Sequence, residues 1–315
     1  MLIKLPLSKI LKLITSISER RKNMNYSLEN DLLEISFCDD GAEVYSIKGK
    51  KEGIQFLWNG NEEYWKYHAP VLFPIVGKVL NNKYIVDGIT YSLPQHGLAR
   101  VSKFRKIAHS ESTITFKLDY SEETLKVYPF KFYFEITYTL DNDSIITKYK
   151  VINKDTKNIL FSLGAHPAFM CPIFSNESFD DYYFEFREKE SASIMELSSL
   201  GYFTHNEQPY LNNENIIPIS KEVFKNDALV FHNLKSHIIS LKSKNHNKFL
   251  EFDFTNFPYL GLWSKPTGAP FVCIEPWFGH ADFEDFNGEF KDKAGIISLE
   301  ENNSFTCSYR VKIYQ

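Results

Sequence analysis

Hydrophobic and polar residues alternate along most of the chain after about residue 30. In residues 113–120, Ile114, Phe116, Leu118 and Tyr120 alternate with polar residues. Successive side chains of a β-strand point to opposite faces, so this period of two predicts strands with one buried face. The same pattern recurs in residues 131–140, 145–151, 250–254 and 305–313.

Turn residues separate these predicted strands, and helical spacing is scarce. Asp141-Asn142-Asp143 predicts one hairpin turn and Asp87-Gly88 predicts another. Residues 121–126 predict one capped helical turn that ends before Pro129. Strands without intervening helices favour a large antiparallel sandwich over a parallel α/β fold. We therefore predict an all-β fold, a large antiparallel β-sandwich, with residues 24–315 as one domain.

Residues 1–23 follow a different pattern. Apolar residues recur there at helical spacing, with lysine and arginine among and after them. Such a segment is typical of a targeting or membrane-surface helix. We favour an N-terminal extension, helical or disordered, ahead of a second possible start at Met24. No apolar run in the chain reaches the roughly 18 residues that a bilayer span needs, so we predict no integral membrane span.

The composition narrows the class of ligand. Aromatic residues make up 16% of the chain and hydrophobic residues 43%, which is enough for a large packed core. The formal charge is −4, whereas a nucleic-acid-binding surface needs a basic surplus. We therefore exclude nucleic acid as a partner and expect a small, neutral or mildly charged ligand. The sequence does not define an oligomeric state.

The four cysteines are scattered and form no C-x-x-C pair. This spacing argues against zinc and redox motifs. Buried, reduced thiols in a cytoplasmic protein are the favoured interpretation. The residues concerned are Cys38, Cys171, Cys273 and Cys307.

Glu275 is the most informative residue, because its neighbours in residues 271–279 are apolar and aromatic. The segment predicts a strand that runs into a turn. A buried, unpaired carboxylate is costly, so Glu275 needs a partner or a function. Desolvation is expected to raise its pKa toward the range in which a carboxylate works as a general base.

His166 is a second polar residue in an apolar frame, in residues 164–169. One carboxylate and one imidazole, each followed by a proline, suggest an acid/base pair. A lone histidine of this kind is more often a core residue bonded to backbone. Three further segments interrupt the alternation with glycine, proline or charged side chains, which are the places where sites are built on a rigid sheet. These segments are residues 72–79, 93–100 and 225–231, and they contain Lys78, His96, Arg100 and Asp227.

Each of these residues also has a structural interpretation. Asp227 is a candidate turn cap, and Lys78 and Arg100 are candidate surface charges. His96, His166 and Glu275 offer ligand types that suit zinc, but no metal-binding spacing supports a metal site. We therefore predict no metal.

Four segments together resemble the aldose 1-epimerase (galactose mutarotase) superfamily, and most of all its LacX-like, galactose-mutarotase-related branch. The similarity spans roughly residues 25–315 and implies a large antiparallel β-supersandwich. It rests on residues 73–78 (Phe-Pro-Ile-Val-Gly-Lys), 95–100 (Gln-His-Gly-Leu-Ala-Arg), 164–169 (Gly-Ala-His-Pro-Ala-Phe) and 273–277 (Cys-Ile-Glu-Pro-Trp).

The resemblance implies interconversion of the α and β anomers of an aldose. Glu275 is then the general base that takes the proton of the anomeric hydroxyl, and His166 the general acid that protonates the ring oxygen. No cofactor or metal is needed, because each step is a proton transfer. His96 matches a substrate-binding histidine and Asp227 an acceptor of sugar hydroxyls. Trp263 and Trp277 are candidates to cover the apolar face of the sugar or to pack in the core.

Two departures from the family pattern bear on the substrate. Lys78 stands where relatives usually have arginine, and a lysine lacks the planar fork of a guanidinium. Leu98 follows His96-Gly97 where the familiar galactose mutarotases have a second glycine, so galactose is not transferred as the substrate. A hexose 6-phosphate is an alternative, because Lys78 and Arg100 can meet a phosphate. A non-catalytic carbohydrate-binding or regulatory protein is the other alternative.

Overall fold

The computed structural model describes residues 26–315, and β-strands dominate them. The segment of residues 1–23, predicted as an extension, lies outside the described residues. Within the described part, a single short α-helix, α1 (Glu122–Val127), interrupts the strands. The strands are β1 (Tyr26–Glu29), β2 (Leu33–Phe37), β3 (Val44–Gly49), β4 (Val71–Leu72), β5 (Lys83–Val86), β6 (Ile89–Ser92), β7 (Arg105–His109), β8 (Thr113–Asp119), β9 (Phe132–Asp141), β10 (Ser144–Asn153), β11 (Ile159–Phe161), β12 (Leu163–Ala165), β13 (Ala168–Met170), β14 (Tyr182–Leu197), β15 (Phe203–Pro218), β16 (Leu229–His232), β17 (Ile238–Ser243), β18 (Phe249–Asp253), β19 (Tyr259–Trp263), β20 (Phe271–Phe278), β21 (Ile297–Leu299) and β22 (Ser304–Tyr314).

The predicted period of two matches the buried face of these strands. In β8, Ile114, Phe116 and Leu118 are buried as expected. The expectation that Tyr120 continues this face is wrong, because its side chain is 38% exposed. β8 ends at Asp119, and the chain then leaves the ladder to enter the cap of α1 at Ser121.

The predicted turns and the predicted helix are confirmed. β9 and β10 form an antiparallel hairpin around Asn142, and β5 and β6 form another around Asp87-Gly88. α1 begins with a capping box in which Ser121 and Thr124 exchange hydrogen bonds between side chain and backbone.

The sandwich arises because one long antiparallel sheet curls over on itself. Its strand order is β4-β12-β20-β19-β16-β14-β17-β18-β22-β10-β9-β8-β7, with β13 beside β20 and β15 beside β14. β4 and β9 lie near opposite ends of this order, yet Phe73, just after β4, stacks on Phe134 of β9 with ring centroids 4.7 Å apart. The three-stranded sheet β1-β2-β3 packs against the same region, where Phe37 contacts Tyr138. The protein therefore has the predicted all-β architecture.

The largest of three hydrophobic clusters contains residues from Leu28 to Ile313, which supports the proposal of one domain over residues 24–315. All four cysteines lie in the described part and are free thiols. Burial is confirmed for Cys171, Cys273 and Cys307 but not for Cys38, which is half-buried where β2 meets the following turn. No helix within residues 26–315 is both long and apolar enough to cross a bilayer.

Candidate active site

The six residues singled out in the sequence line one pocket. Its volume is about 340 Å³, within the range of about 300–1,000 Å³ typical of small-molecule sites. The sequence segments that contribute to it are far apart in the chain, and the curled sheet brings them together. These residues are Lys78, His96, Arg100, His166, Asp227 and Glu275.

The register of the sheet places His166 opposite Glu275. β20 pairs with two short strands in succession, joining Trp277 to Gly164 in β12 and Cys273 to Ala168 in β13. The same register, continued through the gap between β12 and β13, sets His166 across from Glu275. Residues directly opposite on antiparallel strands share a face and lie within contact distance. The apolar segments 164–169 and 271–279 are therefore neighbours in the sheet, and this brings His166 next to Glu275.

Glu275 and His166 form a close, buried pair. Oε2 of Glu275 lies 3.2 Å from Nε2 of His166, without the alignment of a hydrogen bond. Glu275 is 2% exposed, and Oε2 has no hydrogen-bond partner within residues 26–315. Catalytic contacts are often loosely aligned before a substrate binds, so this geometry suits an acid/base pair.

Burial moves the pKa values of the two groups in opposite directions. Desolvation raises the pKa of Glu275 well above its ordinary value, and the negative charge of Asp227 adds to this shift. The Trp277 indole opposes it as the smallest of the three influences. Burial, helped by the positive charge of Arg100, lowers the pKa of His166 to about 3. The expected rise for Glu275 is confirmed, and both shifts favour uncharged side chains.

The pair consequently holds one proton between the lowered pKa of His166 and the raised pKa of Glu275. A protonated Glu275 with a neutral His166 carries the same number of protons as a carboxylate with an imidazolium. Transfer across the 3.2 Å contact converts the first form into the second. The two groups therefore titrate as a unit with apparent pKa values that belong to the pair.

His96 reaches the pocket from a tight turn. His96 and Gly97 both have left-handed backbone conformations, with φ values of 65° and 73°. A side chain at Gly97 would collide with the Phe73 carbonyl, because its Cβ would lie 2.4 Å from that oxygen. Nδ1 of His96 accepts the Gly77 backbone N–H at 3.2 Å. Burial lowers the pKa of His96 well below its usual value, so the neutral ring carries its proton on Nε2 as a donor.

The two cations of the pocket are already bonded to backbone carbonyls. Nζ of Lys78 donates to the Leu200 carbonyl at 2.8 Å, and Nη2 of Arg100 donates to that of Gln95 at 2.8 Å. The Arg100 guanidinium also lies 5.0 Å from the ring centroid of Tyr67. Both side chains are half-buried, so neither is a fully solvated surface charge.

Asp227 lies at the rim of the pocket, just before β16. It has a φ of 80°, and its Oδ1 accepts the backbone N–H of Ala228 at 2.9 Å. The turn-cap interpretation therefore describes one of its oxygens correctly. The residue nonetheless lines the pocket and acts electrostatically on Glu275.

Aromatic rings form the pocket wall, and one of them was missed by sequence reasoning. Trp65 stacks on the His166 ring with centroids 4.8 Å apart. Trp263 meets the same ring edge-on at 5.6 Å. Both rings line the pocket beside His166, where they can cover an apolar sugar face. The cluster of aromatics in residues 64–67 was the only sequence signal for Trp65.

Two glycines, Gly164 and Gly261, make room for the Trp277 indole. Sequence reasoning did not identify Gly261. A Cβ at Gly261 would lie 2.7 Å from Cη2 of the indole. A Cβ at Gly164, on the other side, would lie 2.6 Å from its Cδ1. Gly261 pairs directly with Glu275, so this close approach also shapes the strand that carries the carboxylate.

A metal ion fits this site poorly. The metal-ligand types that come together in residues 26–315 are His166, Cys273 and Glu275, whose ligand atoms lie within 4.8 Å of one another, and His96 is not part of the group. A thiol binds metal as the thiolate. Burial raises the pKa of Cys273 well above its usual value, and the charge of Glu275 adds to this effect.

A curled antiparallel sandwich with a buried carboxylate–imidazole pair in an aromatic pocket defines the class of aldose 1-epimerase-like proteins. The chain belongs to the aldose 1-epimerase family, whose model matches residues 24–298. Within the family it belongs to the LacX-like branch. It is 33% identical over 298 residues to the plasmid-encoded protein LacX of Lactococcus lactis subsp. lactis, covering 92% of this chain and 99% of that protein.

Two solved structures share the fold over nearly their whole length. The galactose mutarotase related enzyme from Lactobacillus acidophilus is 34% identical, with a TM-score of 0.89 over 93% of this chain and 98% of that one. A galactose mutarotase-like protein from Lactobacillus casei is 28% identical, with a TM-score of 0.87 over 92% of this chain and 100% of that one.

Proposed function

We propose that the protein is an aldose 1-epimerase, a mutarotase that interconverts the α and β anomers of a hexose. The observation that carries this proposal is the buried Glu275–His166 pair, 3.2 Å apart, in a pocket with aromatic walls. Anomer exchange needs one base and one acid within reach of the same sugar ring. Family membership supports the reaction class, an isomerase acting on carbohydrates.

The proposed reaction begins with the proton of the pair on His166. The Glu275 carboxylate takes the proton of the anomeric hydroxyl, and His166 donates its proton to the ring oxygen. The bond between C1 and the ring oxygen breaks, and the free aldehyde forms. Rotation about C1–C2 and ring closure with the reverse proton transfers give the other anomer. All atoms and protons balance without a cofactor or a metal.

The remaining pocket residues bind the sugar in this proposal. Nε2 of His96 donates to a ring or hydroxyl oxygen. Asp227 accepts a hydrogen bond from a sugar hydroxyl with its remaining lone pairs. Lys78 and Arg100 each have N–H groups beyond the one that a backbone carbonyl engages, and these donate to sugar hydroxyls. The binding residues are thus His96, Lys78, Asp227 and Arg100.

A hexose 6-phosphate is the second candidate substrate, because Lys78 and Arg100 both line the pocket. Exchange NMR separates the two candidates by measuring anomer interconversion for glucose and galactose and for their 6-phosphates. We expect the free sugars to have the higher kcat/KM. A higher value for the phosphates would assign the phosphorylated class, and no acceleration with any sugar would contradict the mutarotase proposal.

We further propose that the protein works in the cytoplasm on a small-molecule sugar. Its four cysteines, all within the described residues, are free thiols. Reduced thiols are typical of proteins in reducing compartments. In this proposal nucleic acid is not a partner and the chain has no integral membrane span.

A further inference from the structure

A second, larger cavity adjoins the sugar pocket. It is an open groove of about 920 Å³ between the β14–β15 hairpin and the segment before β16. Its volume is well above the 340 Å³ of the pocket and lies near the upper end of the usual range for small-molecule sites. The four residues that line both cavities are Leu197, Asp227, Ala228 and Trp263.

The shared residues place the groove beside the reacting centre. Asp227 is close enough to Glu275 to act on it electrostatically, and Trp263 touches the His166 ring. Asp227 and Trp263 therefore form a wall shared by the pocket, beside its acid/base pair, and the groove. A substituent on a sugar held in the pocket reaches the groove by passing these two residues.

The groove walls suit hydroxyl groups. The Glu196 carboxylate accepts hydrogen bonds from Thr204, Asn206 and the Nε2 amide of Gln208. Of these residues, Glu196 and Gln208 line the groove, and the bond between them holds a carboxylate acceptor beside an amide donor. Tyr210 adds a half-buried ring held edge-on against Phe231, with centroids 5.7 Å apart. Alternating polar groups and ring faces are complementary to a pyranose, which has both.

The charges of the groove disfavour an anionic substituent. Glu196, Glu222 and Asp227 contribute three carboxylates to the lining. The one lysine among the described lining residues, Lys225, is paired with Glu222 at 3.6 Å. A phosphate or carboxylate there would meet a surplus of negative charge, whereas a neutral sugar would not.

We propose that the groove is a second sugar subsite, so that the preferred substrate is the reducing end of a neutral disaccharide or longer oligosaccharide. The inference rests on the proposed mutarotase function and specifies its substrate class. The reducing sugar occupies the pocket with its anomeric hydroxyl at Glu275. The next sugar lies in the groove against Tyr210, Gln208 and Trp263.

Exchange NMR tests the proposal by comparing sugars that share a reducing end. Glucose is compared with maltose and cellobiose, and galactose with 1→4-linked galactobiose. We expect kcat/KM for at least one disaccharide to exceed that of its monosaccharide by about tenfold, a ratio that corresponds to about 1.4 kcal/mol. Exchange that is fast for the monosaccharides and no faster for any disaccharide would overturn the second subsite and leave the mutarotase function intact.

Substitutions in the groove test the same proposal on one protein. Gln208→Ala and Tyr210→Ala are expected to raise KM for the preferred disaccharide about tenfold and to leave kcat/KM for the monosaccharide within twofold. Gln208 is exposed, so its substitution does not endanger folding. Asn212→Ala, on the exposed side of β15 outside the groove, is the matched control. Equal losses for both sugars, or no loss for either, would contradict the assignment.

If the protein accelerates anomer exchange for no sugar, binding measurements distinguish the mutarotase proposal from the proposal of a second sugar subsite. Calorimetry then measures maltose and glucose binding to the wild-type protein and to Gln208→Ala. Tighter binding of maltose that is lost in the variant would preserve the groove as a sugar subsite and overturn the catalytic function. Equal binding of the two sugars would overturn the groove.

Discussion

Glu275 and His166 derive their proposed chemistry from being buried together. Each alone is a costly group in an apolar frame, and burial drives both toward the uncharged form. Because the proton lost by one is available to the other, their opposite pKa shifts define a pair rather than two independent groups. The same burial that makes the Glu275 carboxylate costly also makes it a stronger base for taking the proton of an anomeric hydroxyl.

The pH dependence of activity follows from this shared proton. Below the lowered pKa of His166, about 3, the pair takes up a second proton. Above the raised pKa of Glu275 it loses its only proton. We therefore expect kcat/KM from exchange NMR to stay level as pH falls through 6.5, the usual range of histidine, and to decline on the alkaline side. An acid limb with its midpoint near 6.5 would contradict the shared-proton account.

At the scale of elements, β20 organises the site. β12 and β13 flank it on one side and β19 on the other, so His166 and Gly261 lie on either side of Glu275. Trp277 lies across the same strands, over Gly164 and Gly261. The pocket floor is therefore a set of cross-strand neighbours, and its shape depends on the absence of a side chain at two positions.

Gly261→Ala tests this arrangement. The added methyl would lie 2.7 Å from the Trp277 indole, so we expect a loss of about 1–3 kcal/mol in unfolding free energy together with lower exchange activity. Urea denaturation measures the loss. Trp277→Phe removes the ring atoms that collide, so the double variant is expected to show a favourable coupling energy. Additive effects of the two substitutions would contradict the proposed clash.

At the scale of the whole molecule, a buried ion pair near the C-terminal end is bonded to a segment about 200 residues earlier in the chain. Nζ of Lys293 donates to Oδ1 of Asp282 at 2.8 Å, and both side chains are almost fully buried. Oδ2 of Asp282 accepts the Leu80 backbone N–H at 2.7 Å, and its own N–H bonds to the Lys78 carbonyl. The pair thereby fixes the segment that carries Lys78.

Asp282→Asn is expected to destabilise the protein strongly. It leaves the Lys293 ammonium buried without its carboxylate, which typically costs about 3–5 kcal/mol of unfolding free energy. Guanidinium denaturation measures this cost. Asp87→Asn, which breaks the exposed pair with Lys157, is the matched control and should leave the midpoint unchanged. A similar midpoint for both variants would contradict the assigned role of the buried pair.

The strands and the pocket residues were both predictable from the sequence, because each shows as a difference in polarity between neighbouring residues. A period of two reveals a half-buried strand such as β9, and a carboxylate among aromatic residues reveals Glu275. The cross-strand register could not be predicted, because His166 lies opposite Glu275 only through the pairing of β12 and β13 with β20. Gly261 was missed because the need for a glycine there comes from the Trp277 indole, which packs against it from a neighbouring strand. Trp65 was missed because its loop has no periodic pattern.

The most direct test of the central claim is the rate of anomer exchange in Glu275→Gln and His166→Asn, measured by exchange NMR on the best free aldose. Glu275→Gln keeps the shape and leaves an uncharged group. Glu251→Gln, in β18 and outside the pocket lining, is the control for the substitution itself. We predict that each pocket variant folds as the wild type does and exchanges anomers about 10²–10⁴-fold more slowly. Wild-type rates in either folded variant would contradict the account.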